Sequence, residues 1–117
     1  MKKYGIGLLA FTLLLIAPRL ALAHAVLLAS TPAVHGTIHG PSISIDLKFN
    51  SRVDGARSRI YIVQPDGSTQ ALVLDKQQAP DRFSSHADLK PGNYTLRWQA
   101  LAADGHITRG VIPFTVQ

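Results

Sequence analysis

The chain has 117 residues, a formal net charge of +5, no cysteine and one methionine, Met1. The lack of cysteine excludes disulfides, thiolate metal sites and lipid anchoring through a cysteine behind a leader. With methionine confined to Met1, a soft thioether site of the kind that selects Cu(I) is excluded as well. Any metal chemistry must use nitrogen and oxygen donors.

Met1-Lys2-Lys3 gives a positive start, Gly5 to Ala17 an apolar run, and Ala21-Leu22-Ala23 a small-x-small cleavage pattern. Together they predict a cleaved secretion signal over residues 1–23. The apolar run is short for a membrane-spanning helix, Pro18-Arg19 interrupts it, and no second run of spanning length follows. Residues 24–117 are therefore expected as one small exported domain, periplasmic and without stable membrane insertion. Loss of Lys2, Lys3 and Arg19 lowers the net charge from +5 to +2. The basic residues that remain are scattered, so no nucleic-acid footprint is expected.

Cleavage after Ala23 makes His24 the first residue. A free N-terminal histidine can close a six-membered chelate on one metal ion through its α-amine and Nδ1. Next, Ala25 to Ala29 reads as a first strand, with Pro32 as its stop. Val34 to Gly40, with two glycines and two histidines, reads as a loop. From Ser42 to Phe49 the alternation is strict: Ile43, Ile45, Leu47 and Phe49 share one face, Ser44, Asp46 and Lys48 the other. That is a strand with one face buried and one wet. Arg59 to Val63 is the next strand, ended by the turn Pro65-Asp66-Gly67. Ala71 to Leu74 and Arg82 to Ser84 are shorter candidates.

Leu89-Lys90-Pro91-Gly92-Asn93-Tyr94 has the form of a tyrosine corner at the edge of a β-sandwich. It leads into a strand through Ala100 in which Tyr94, Leu96 and Trp98 alternate with Thr95, Arg97 and Gln99. The last strand, Ile107 to Val116, contains Pro113, which predicts an edge position or a bulge there. Short strands, frequent turns and no helical pattern after residue 23 predict an all-β fold. An immunoglobulin-like β-sandwich or Greek-key barrel of about seven strands fits best.

Asp104-Gly105-His106 falls between the last two strands. In extended backbone, side chains two residues apart project to one side. The His24 amine and imidazole, Asp104 and His106 make three nitrogens and one oxygen, a set suited to tetragonal Cu(II). A histidine-brace copper oxidase or monooxygenase is the enzyme alternative, although a carboxylate favours Cu(II) over reduction. An exported β-sandwich interaction module without metal is the other. No catalytic nucleophile motif is present, and no enzyme is expected.

The chain resembles the CopC family of periplasmic copper-resistance proteins along almost all of residues 24–117. The matching stretches are His24-Ala25, Ser30-Thr31-Pro32-Ala33, Leu47-Lys48-Phe49, Pro91 to Trp98, Asp104-Gly105-His106 and Gly110 to Val116. The resemblance implies a CopC-like copper-binding domain with His24, Asp104 and His106 as metal ligands. It also implies one Cu(II) site and work beside a CopD-type inner-membrane copper transporter. Ser51 stands where some relatives carry a glutamate near the copper, and the methionine-rich Cu(I) loop of others is missing, so no Cu(I) site is expected. His35, His39 and His86 are expected as exposed side chains; a weak accessory site at His35 or His39 is the alternative.

Overall fold

The computed structural model describes residues 24–117; the signal expected over residues 1–23 lies outside them. Eight strands follow in chain order among the described residues: β1 Leu27–Thr31, β2 Gly36–Ile38, β3 Ser42–Phe49, β4 Arg59–Val63, β5 Thr69–Ala71, β6 Arg82–Asp88, β7 Gly92–Leu101 and β8 Ile107–Val116. They form a three-stranded sheet in the order β1-β3-β6 and a five-stranded sheet in the order β2-β8-β7-β4-β5. The two sheets make an immunoglobulin-like β-sandwich.

Alternation along single strands dictates what lies between the sheets. Ile43, Ile45, Leu47 and Phe49 of β3 are at most 1% exposed, and Tyr94, Leu96, Trp98 and Ala100 of β7 are buried opposite them. Phe49 joins the two layers. Its ring stacks at 5.3 Å on Phe83 of β6 within its own sheet and meets Trp98 of the other sheet edge-on at 5.3 Å. The tyrosine corner is made: the Tyr94 hydroxyl donates to the Lys90 carbonyl at 2.7 Å.

Trp98 lies directly opposite Gly110 in the β7–β8 ladder. A Cβ at Gly110 would sit 2.6 Å from the indole Nε1, so the ring occupies the space a side chain would need. Gly110→Ala is therefore expected to destabilise the domain by about 1–3 kcal/mol through overpacking. Each kcal/mol should lower the melting temperature by roughly 4–8 °C in a domain of this size. An unchanged thermal midpoint would show that the indole has another place to go.

The structure corrects the sequence reading in several places. Val34 to Gly40 is not wholly a loop: Gly36–Ile38 pairs in parallel with Phe114–Val116 of β8. Three residues are too few to carry a periodic pattern, and the pairing partner is remote in sequence. The strand expected at Ala71 to Leu74 lies instead at Thr69–Ala71, against β4. The strand expected to stop at Ser84 runs on to Asp88 along β3. Its inward positions after Phe83 are Ser85 and Ala87, which carry little hydrophobic signal. Ser85 is fully buried, and its hydroxyl is satisfied by the Val73 carbonyl at 2.6 Å.

Pro113 sits in an unbroken β7–β8 register, so there is no bulge in that ladder. Its carbonyl accepts from His35 N–H at 2.7 Å, just ahead of the β2 pairing. By strand geometry its missing N–H points to that same side, where β8 has no hydrogen-bonded strand neighbour before Gly36.

Candidate metal centre

The Asp104 and His106 side chains are held by the connection between β7 and β8. After the last ladder pair, Leu101–Ile107, Ala102 N–H donates to the His106 carbonyl at 2.8 Å and Gly105 N–H to the Ala102 carbonyl at 3.0 Å. Gly105 has φ +88°, a left-handed conformation that costs glycine nothing and a substituted residue about 1 kcal/mol or more. Asp104 and His106 are thus brought together by a tight turn, not by the extended backbone expected from their spacing.

The base of this hairpin is tied to the sandwich. Ala102 is buried and bridges Val53, and Asp54 N–H donates to the Leu101 carbonyl at 2.9 Å. The buried Ser58 hydroxyl donates to the Asp54 carbonyl at 2.6 Å and accepts from Leu101 N–H at 3.1 Å.

Within the turn, one Asp104 oxygen accepts from His106 N–H at 3.1 Å and the other lies 2.8 Å from His106 Nδ1. An ionised carboxylate only accepts, so in the neutral ring this contact selects the tautomer with the proton on Nδ1, whose Nε2 is the nitrogen open to a metal. The His106 ring, then its backbone N–H, hold the Asp104 carboxyl below the usual carboxylate range, against a smaller opposing effect of burial. This contact therefore favours the fold above the ordinary aspartate range and loses its effect as pH falls through the lowered pKa.

His24 comes from the other sheet. It precedes β1, and its ring centroid lies 4.9 Å from that of His106 with the planes inclined at 67°. One ligand atom from each of His24, Asp104 and His106 can be chosen so that all lie within 4.8 Å of one another, and all three residues are exposed. All three predicted site residues are therefore brought together, at one end of the sandwich where the sheets meet.

The remaining histidines are elsewhere. His35 lines a groove with Pro65, Asn93 and Tyr94, and His39 follows β2, which runs beside the far end of β8. At about 3.3 Å per strand residue, that places them on the order of 20–30 Å from His106. His86 is on β6, where its ring meets Asp75 at 2.9 Å. None of the three joins the group of potential ligands found among the described residues. The Ser51 hydroxyl oxygen is buried without a hydrogen-bond partner among the described residues. Sequence reading missed Asn50, whose side chain binds Val26 N–H at 2.8 Å, two residues from His24. An asparagine at a strand end carries no signal of such a role.

Comparison with known proteins places this geometry in context. A family model described as the CopC domain matches residues 27–117. Protein YobA of Escherichia coli strain K12 is 31% identical over 99 residues, covering 81% of this chain and 80% of its own. Copper transport protein CutJ of Bacillus subtilis strain 168 is 25% identical over 123 residues; the match covers 98% of this chain but only 22% of CutJ. The crystal structure of CopC from Methylosinus trichosporium OB3b superposes with a TM-score of 0.71 at 26% identity, covering 80% of this chain and 94% of that one. A sandwich of this form, closed at one end by a His-Asp-His group and matched over residues 27–117, belongs to the CopC domain family of copper-binding, copper-resistance proteins.

Proposed function

We propose that the form beginning at His24, released by cleavage after Ala23, binds one Cu(II) ion in the periplasm and sequesters or delivers it as a carrier, not an enzyme. The donors are the His24 α-amine and imidazole, the Asp104 carboxylate and a His106 ring nitrogen. The observation that carries this reading is the convergence of His24 and His106 from different sheets to 4.9 Å, with Asp104 against the second ring. Nitrogen donors with one carboxylate suit Cu(II), and no methionine follows Met1 to recruit Cu(I). Delivery to a CopD-type inner-membrane transporter fits the family, and CutJ, of which the matched stretch is about a fifth, is named as a copper transport protein.

The test is electron paramagnetic resonance of the Cu(II) form, with a titration for stoichiometry. One equivalent should bind, with nitrogen hyperfine structure that changes in both His24→Ala and His106→Ala. Affinity should fall as pH drops from about 8 to about 6, because copper displaces protons from an amine and imidazoles. Unchanged spectra in both variants, or affinity flat across that range, would remove the assignment.

A further inference from the structure

Resting on the Cu(II) reading, we propose that Asn50 is the positioning residue that fixes the N-terminal ligand against the β7–β8 hairpin. The approach of the chain to β1 is set by a register shift. Leu27 pairs with Phe49 and Ala29 with Lys48, so Leu28 is an extra residue opposite the partner strand. One inserted residue exchanges the inward and outward faces of everything before it. As a result Ala25 is fully buried and Leu27 packs on the core, while Leu28 is 61% exposed. His24, next to the buried Ala25, is left at the exposed rim.

Beyond Leu27 the ladder to β3 ends, and Asn50 continues it alone. Its backbone N–H donates to the Val26 carbonyl at 2.9 Å, and its side-chain Oδ1 accepts from Val26 N–H at 2.8 Å. Both backbone groups of Val26 are thereby held by one residue. With Ala25 sunk beside it, the two residues that directly follow His24 are both held. The chelate formed by a terminal amine and its own imidazole can share a metal with a distant imidazole only if the last residues do not fray, and chain ends fray unless tied. The role requires a side-chain acceptor of this reach. Aspartate can supply it and alanine cannot.

The test compares the processed chain with Asn50→Ala and Asn50→Asp. Val26 amide exchange is followed by NMR in the metal-free protein, and Cu(II) binding by competition titration and electron paramagnetic resonance. In the unsubstituted protein the Val26 N–H should be protected. Asn50→Ala should release that protection, weaken Cu(II) binding by about 10-fold or more, as removal of a residue orienting a ligand commonly does, and alter the nitrogen hyperfine pattern. Asn50→Asp should keep protection and pattern. A Val26 amide exchanging as in an unfolded chain in the unsubstituted protein would overturn the proposal. So would an Asn50→Ala spectrum and affinity equal to the parent's. If Asn50→Ala fails to fold, Val26 exchange in the parent and the behaviour of Asn50→Asp still decide. Failure of the parent itself to take up Cu(II) would refute the copper reading, and Val26 protection would then report on the clamp separately.

Discussion

A single glycine placed ahead of His24 should weaken Cu(II) binding by about 100-fold, equivalent to about 2.7 kcal/mol. The extension turns the α-amine into a peptide nitrogen. The six-membered chelate is opened and the basic amine is moved one residue away from the imidazole, while the His24 imidazole, Asp104 and His106 are left in place. Nothing in the sandwich needs to change, because Ala25 and Val26 remain docked by burial and by Asn50. The melting temperature of the metal-free protein should therefore match that of the form beginning at His24, and the loss should appear in affinity alone. Competition titration with a chromophoric Cu(II) chelator gives the number. Equal affinities would mean that the amine is not a ligand. Residues 1–23 left in place should have the same consequence, so that under the proposed reading copper binding begins with cleavage after Ala23.

The largest expected loss of stability is for Phe49→Ala, about 3–5 kcal/mol. Phe49 is 1% exposed and touches the aromatic residues of both sheets, Phe83 by stacking and Trp98 edge-on. Neither neighbour can collapse into the void readily, since Trp98 is already pinned across Gly110 and Phe83 lies on a strand paired along its length with β3. A domain of this class has a total stability of about 5–15 kcal/mol, so the variant would retain a fraction of it or none. Urea unfolding followed by tryptophan fluorescence measures the change directly. A loss below about 1 kcal/mol would show that the aromatic contact between the sheets is not a principal support of the core. Because Phe49 also pairs with Leu27 and precedes Asn50, a folded variant should bind Cu(II) more weakly too.

Much of this protein was legible in one dimension. Strict alternation in Ser42–Phe49 and from Tyr94 to Ala100 dictated strands with one buried face, since side-chain direction along a strand is a local property. The tyrosine corner was written in Leu89 to Tyr94, and His24, Asp104 and His106 could be named as candidates from their types. The absence of cysteine and of any methionine after Met1 limited the donors to nitrogen and oxygen.

Only the tertiary structure decided where those three side chains meet. His24 lies about 80 residues before His106, and their approach depends on two sheets closing over one core. Short or irregular pieces were equally beyond local pattern: β2 exists because β8 offers it an edge, and the extra residue at Leu28 is visible only in register with β3. Asn50 gained its role for the same reason, since its partner at Val26 is 24 positions away. Alternation states which way a side chain faces within its own strand. It carries no information about which remote backbone will stand opposite, and that pairing brings His24 to Asp104 and His106.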